Sequence, residues 1–491
     1  MRILTYVFQR LMSVVILFFV LEILCFGLGV APLASDFAEG IIDKNRLSVH
    51  KPKGEIRVFA YGESTMYGAH YAPVSSPARW LEVYLTDFLP DKKIRVINFA
   101  RMGKSSPFIY RTFRETLFYK PDVAVFYMGH NEFLPAENMK EVLAKARKTN
   151  AILREWLSKS RLISFLYRQI LRLRAARLHK QDIMGHEVIE TYPGGVDITI
   201  RTPRNEPDYW AGIEFFRKNV SGIVDLAAQK KVHVLFLRPV SNLKDFPPLD
   251  SAHMKDLTPQ QIAEWDKFFA EGSRYEESGN LDQALVSYQK AYAIDDTYAI
   301  LSYRMAEIYF TQGNFAEAGK FYKEAKDNDV MVVRATKEID NVFLDLAKTK
   351  NLQYIDTEKI VASEALGGIL GLSIVEDNAH FTIKGHQLIG RKLTEEIARR
   401  RWISPVAKWE FDRERPYEVI ATQLGIDTHL LVSAYIKIAD YFANHYQERS
   451  FFAKKAVELA PRDPNALRSL AWAWWISGDE AKAIDTYKKL K

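Results

Sequence analysis

The sequence predicts an α/β domain with a parallel sheet, joined to all-α helical repeats and preceded by a transmembrane helix. Three observations point there. Five short β-branched or aromatic runs alternate with helical-looking stretches, the pattern of a parallel sheet covered on both faces. Glycine, alanine and tyrosine recur at an offset of 34 residues, the period of one family of helix–turn–helix repeats. Residues 11–32 are apolar except for Ser13 and Glu22.

That apolar run is the first element. About 20 apolar residues at 1.5 Å each cross a bilayer core. Arg2 and Arg10 precede or open the run, and Asp36, Glu39 and Asp43 follow it. The positive-inside rule then places the N-terminus in the cytoplasm and the bulk of the chain outside it. A bacterial inner membrane facing the periplasm or the cell exterior fits this reading. The apolar region of a cleaved signal peptide is usually about 7–15 residues, so a retained single-pass anchor over residues 1–35 is expected. Glu22 is costly against lipid and calls for a neighbouring helix or a tolerant site. Cys25, the single cysteine, follows Glu22-Ile23-Leu24. No small residue precedes it, which disfavours a lipidated cysteine, and one cysteine allows neither an intramolecular disulfide nor a cysteine metal site.

The expected strands are 56–61, 95–99, 123–128, 233–237 and 353–355. In such sheets the site lies at the carboxyl ends of the strands. An apolar fraction of 48% with 26% charged residues is ample for a core and excludes wholesale disorder. The net charge of +7 is concentrated: residues 140–180 hold 12 Lys and Arg against 2 acidic residues. One basic segment without a nucleic-acid motif is no nucleic-acid footprint. Ile152, Trp156, Ile163, Tyr167, Ile170 and Leu171 form an apolar stripe there at helical spacing. Such a helix either lies on anionic headgroups or, more simply, packs on the domain with a solvated basic face.

Residues 262–330 interrupt the alternation. Gly279-Asn280, Ala284, Tyr288 and Ala291 return as Gly313-Asn314, Ala318, Tyr322 and Ala325. Gly478, Ala483 and Tyr487 repeat the spacing, and a weaker copy ends at Ala456 and Pro461. These resemble tetratricopeptide repeats, with tyrosines such as Tyr288, Tyr309 and Tyr322 as packing residues. The chain thus divides into a first α/β part at 50–261, an inserted repeat pair at 262–330, a second α/β part at 331–401 and C-terminal repeats at 417–491. A pair alone is short of the roughly three repeats needed for stable stacking, so the two sets are expected to stack on each other and form one groove for a protein partner or a polymer. Trp472, Trp474 and Trp475 cannot all face one core.

Four short motifs carry chemistry. Residues 61–68 read Y-G-E-S-T-M-Y-G and leave the first strand, exposing Ser64 at a tight turn. Gly103, in V-I-N-F-A-R-M-G, has a backbone N–H that a bound oxygen can approach. Asn131, in G-H-N-E, has a neutral amide able to donate to an oxyanion. Asp377, in D-N-A-H, can orient His380, which can in turn deprotonate Ser64. Each alone is weak: serines often follow strands, Gly103 reads as an ordinary turn, Asn131 as a helix cap, and D-x-x-H as a surface loop. Their order and strand-end positions fit one site.

Together they resemble the SGNH/GDSL hydrolase superfamily across residues 56–401. The resemblance implies a flavodoxin-like three-layer domain in which Ser64, Asp377 and His380 are catalytic and Ser64, Gly103 and Asn131 form the oxyanion hole. It requires no metal and no cofactor. The chain departs from the family's blocks at Glu63, Ala100 and Glu132, which touches subfamily and substrate, not the triad. The function expected is hydrolysis of an ester on an acylated envelope glycan or lipid. An O-acyltransferase fed by a membrane partner would use the same triad, and a repeat-based assembly scaffold is the reading of a different class. His130 and His386 flank the site and read more simply as packing residues. Arg238 either binds an anionic group of the substrate or pairs with an acidic neighbour.

Overall fold

The computed structural model describes residues 2–28, 50–133, 201–442 and 446–490, with Leu162 and Leu166. The basic stretch 140–180, those two leucines apart, and the acidic flank at Asp36, Glu39 and Asp43 lie outside the described residues.

Five parallel strands form the centre: β1 (Glu55–Gly62), β2 (Lys93–Asn98), β3 (Val123–Tyr127), β4 (His233–Leu237) and β5 (Tyr354–Ile355). Their spatial order is β2-β1-β3-β4-β5, the flavodoxin-like doubly wound order. The two-residue period of a strand sends alternate side chains to opposite faces. Val58, Ala60, Val123, Val125, Leu235 and Leu237 enter one core, with the helices Pro77–Phe88 and Ile383–Arg399. Phe59, Tyr61, Ala124, Phe126 and Phe236 enter the other, with the helices Ser106–Thr116, Pro207–Lys230 and Lys337–Lys350. Three layers follow. Because residues 58–61 of β1 and all of β3 are buried on both faces, they read as continuous apolar runs rather than alternating ones.

The N-terminal helix Arg2–Gly27 is 26 residues long. Among its described side chains, Ile16, Leu17, Phe19 and Ile23 are exposed. Among the described residues no single helix is long and apolar enough to cross a membrane, and the apolar stretch spans Ile16–Gly27. Glu22 accepts the backbone N–H of Leu162 at 3.0 Å, so its carboxylate has a protein partner.

The repeats share one turn chemistry. Gly279, Gly313 and Gly478 adopt φ of 77°, 75° and 80°, the left-handed region that a residue without Cβ enters freely. The following Asn280, Asn314 and Asp479 each cap the next helix by accepting a backbone N–H. Tyr288 and Tyr322 are buried, whereas the equivalent Tyr487 stands 60% exposed at the outer edge of the array.

The two repeat sets do not merge into one stack. Residues of the inserted pair close a core around Leu243 and Ile369. The C-terminal helices close another around Phe246 and Val333. Each set finds apolar partners on the α/β domain and its loops. The single-groove expectation is therefore replaced by two sets docked side by side on the loop after β4. The α/β core also extends past residue 401: Trp409, Ile420 and Leu424 join it, and Tyr417 stacks on Trp80 with ring centroids 5.8 Å apart.

Candidate active site

β1 ends at Gly62, where an added Cβ would lie 2.2 Å from the Tyr127 carbonyl oxygen. Only glycine allows β1 to turn this close to β3. Glu63 follows, fully buried, and its carboxylate accepts the N–H groups of Gly129 at 2.8 Å and His130 at 3.0 Å. This stitches the end of β1 to the loop after β3. Burial and the neighbouring Glu132 carboxylate push the Glu63 carboxyl up, to about 8, against the pull of the backbone N–H groups. Glu132 itself accepts the N–H of Ser106 at 2.9 Å and its hydroxyl at 2.6 Å. Two positions where the sequence departs from the family pattern thus brace the loops around the site.

Ser64 opens the short helix Ser64–Tyr67, so its N–H has no partner within that helix. Its Oγ lies 2.6 Å from His380 Nε2. The other ring nitrogen, Nδ1, lies 2.6 Å from Asp377 Oδ2. The structure therefore brings Ser64, His380 and Asp377 into one chain of hydrogen bonds across a sequence separation of 316 residues.

The loop bearing Asp377 and His380 is rigid for identifiable reasons. Val375 and Phe381 form an antiparallel bridge at its base. Asp377 Oδ1 accepts the N–H groups of Ala379 at 3.0 Å and His380 at 2.8 Å. Asn378 donates to the Val333 carbonyl at 2.7 Å and accepts from the Tyr441 hydroxyl at 3.1 Å. Burial alone would raise the Asp377 carboxyl, but the charge and hydrogen bonds of His380 and His70 hold it well below the usual range. Its neighbour Glu376 goes the other way. Burial, with Asp377 beside it, pushes Glu376 up to about 8, although the Tyr71 hydroxyl donates to it at 2.6 Å.

Gly103 and Asn131 sit on the neighbouring strand-end loops. Gly103 has φ 64°. Asn131 is buried, and its side-chain amide donates to the Lys104 carbonyl at 3.0 Å, tying the loops after β2 and β3 together. The amide's second N–H leaves it a donor to offer.

The flanking residues sort into packing roles. His386 is buried, with Nδ1 3.1 Å from the Ser75 hydroxyl, and burial drives its ring down to about 3. His130 Nδ1 accepts the Ala335 N–H at 3.1 Å, and burial likewise lowers its ring to about 3. Arg238 pairs with Asp340 and with Asp356 at 3.3 Å, so the acidic-neighbour reading holds. Trp474 lies against the C-terminal core, while Trp472 and Trp475 are exposed.

Sequence reasoning missed His70. Its Nε2 lies 2.8 Å from Asp377 Oδ2, and its ring meets that of His380 edge-on at 5.1 Å. Nothing in Y-G-A-H-Y marks a histidine that meets a carboxylate 307 residues later. Of the described His and acidic side chains, His70, Asp377 and His380 converge most closely, their ligand-type atoms lying within 4.8 Å of one another. Hydrogen bonds among the three residues and Ser64 join them into one network.

The inserted repeats match the model of a tetratricopeptide repeat family over residues 275–331. Solved structures similar to the chain include a GDSL-like lipase from Bacteroides thetaiotaomicron, at 9% identity and a TM-score of 0.32, covering 75% of this chain and 99% of that one. A lipase/acylhydrolase from Enterococcus faecalis is 12% identical with a TM-score of 0.30, covering 70% and 96%. A catalytic variant of an acetylxylan esterase from Geobacillus stearothermophilus is 10% identical with a TM-score of 0.28, covering 70% and 94%. No curated protein matches the chain.

Proposed function

We propose that the chain is a serine ester hydrolase of the SGNH/GDSL type, working through an acyl-enzyme. The observation that carries this reading is the continuous Ser64–His380–Asp377 hydrogen-bond chain, with both links at 2.6 Å. In the proposed cycle Ser64 Oγ attacks the ester carbonyl while its proton passes to His380 Nε2. Asp377 stabilises the imidazolium that results. The N–H groups of Ser64 and Gly103 and the amide of Asn131 receive the oxyanion, each such donor being worth about 3–4 kcal/mol of barrier. His380 then protonates the leaving alcohol. Water, activated by the same imidazole, releases the acid and restores Ser64.

The membrane anchor and an extracytoplasmic site belong to this proposal. The exposed apolar side chains of Ile16, Leu17, Phe19 and Ile23, on a helix whose sequence begins with Arg2, support it. Its substrate would then be an O-acyl ester on an envelope glycan or lipid, with the tetratricopeptide-like repeats holding a protein partner. A fluorophosphonate probe should label the full-length protein, and Ser64→Ala should abolish labelling. Equal labelling of both would refute the triad. A reporter fluorescent only in cytoplasm, fused after Lys491, should stay dark, and a bright fusion would refute the topology.

A further inference from the structure

Asp377 serves two histidines through one oxygen. Oδ2 lies 2.6 Å from His380 Nδ1 and 2.8 Å from His70 Nε2. Oδ1 is taken by two backbone N–H groups. The carboxylate is thus surrounded by four donors, with His70 as the only one from the segment that follows the proposed nucleophile.

Several independent features fix His70 there. It holds φ at 73°, a left-handed conformation costly for a residue with a Cβ. Its side chain is only 11% exposed. The ring stands at 87° to that of His380, so both N–H vectors converge on one oxygen without the rings stacking. The charged and titratable groups facing it are Asp377 and His380 from the loop, His386 from the following helix, and Lys437 from the C-terminal helix Thr428–Tyr441. Burial, the Lys437 charge and His380 all favour the neutral ring, which donates Nε2–H.

We propose that His70 is a positioning residue of the reaction, holding Asp377 towards His380 and taking up part of the negative charge that Oδ2 presents to His380. This rests on the serine hydrolase reading above. The physical reason is competition for one oxygen: a second N–H on Oδ2 weakens what that oxygen gives to the first. Without His70, Asp377 would hold an imidazolium at His380 more strongly. The carboxylate would also be freer to turn away.

The test compares full-length wild type, His70→Leu and His70→Gln in the hydrolysis of a p-nitrophenyl ester. His70→Leu should lower kcat about tenfold, the loss of roughly one hydrogen bond, with KM little changed. The acid limb of its kcat/KM profile should move up by about half a pH unit to one unit. His70→Gln keeps an N–H near the Nε2 position and should return the limb towards wild type. A limb in His70→Leu that coincides with wild type, or moves down, would overturn the proposal, as would a glutamine variant indistinguishable from leucine. The downfield proton resonance of the His380–Asp377 hydrogen bond supplies a readout that needs no turnover. It should shift in His70→Leu and return in His70→Gln, and a resonance identical in all three would overturn the proposal. Failure of wild type to react with fluorophosphonate would instead strike the hydrolase reading, leaving the resonance to judge His70.

Discussion

Glu376 makes a pH-dependent prediction with a definite sign. The residue is buried; one carboxyl oxygen accepts the Tyr71 hydroxyl, and the other, Oε2, has no hydrogen-bond partner among the described residues. Burial, with the Asp377 charge, pushes its carboxyl from 4.5 up to about 8. The folded protein therefore holds this proton more tightly than the unfolded chain does. Stability from this group is full below pH 4.5, declines as pH rises towards 8, and is lost above it. At about 1.36 kcal/mol per pH unit, the decline is roughly 3 kcal/mol by pH 7 and nearer 5 kcal/mol above pH 9. Glu376→Gln has no proton to lose. Its amide meets the same Tyr71 hydroxyl, so near pH 4.5 the two proteins should melt alike. By pH 9 the glutamine variant should melt several degrees higher. Thermal denaturation followed by circular dichroism across pH 4.5–9 reads the difference. Parallel curves for the two proteins would refute the assignment of a neutral Glu376 beside a charged Asp377.

Other perturbations have equally direct outcomes. Asp377→Asn should reduce kcat by about four orders of magnitude, by analogy with loss of the orienting aspartate in a serine triad, while circular dichroism stays native; a drop of less than tenfold would place the orienting group elsewhere. Gly390→Ala would put a Cβ 2.5 Å from Trp80 Cβ and 2.8 Å from the Leu81 nitrogen. Because one neighbour is backbone, the helices Pro77–Phe88 and Ile383–Arg399 must separate, and thermal melting should show a loss of about 1–3 kcal/mol or more. Asn314→Ala removes the cap of the helix Phe315–Asp327 and should cost about 1 kcal/mol, seen as faster amide hydrogen exchange confined to the inserted repeats.

What could be read from the sequence was local. Each strand announced itself as a short β-branched or aromatic run, and β4 is observed at 233–237 as expected. The 34-residue offset gave the inserted repeats because both copies use the same glycine turn and cap. The four motifs were legible because each lies just beyond a strand or in one late loop. The remainder depends on contacts between distant segments, which leave no local trace. His70 reaches Asp377 across 307 residues, and Glu63 reads like any acidic turn residue until its carboxylate is seen bonded to Gly129 and His130. The separate docking of the repeats was hidden for the same reason. Their apolar faces signalled a need for cover, but Leu243 and Phe246, which provide it, lie in a loop with no periodicity.

The insertion between β4 and β5 also bears on when the proposed activity could arise. β4 ends at Leu237 and β5 begins at Tyr354, so the last pairing of the sheet must close across the whole inserted excursion. Contacts between such distant segments form slowly, because the closing loop must first be ordered. The base that would activate Ser64 arrives later still, at His380. On the proposed mechanism a chain leaving the ribosome thus carries an inert serine through most of its synthesis, and hydrolysis would begin only once the segment bearing His380 is in place. Appearance of turnover during refolding should therefore lag the recovery of helical signal, making activity a clock for completion of the fold.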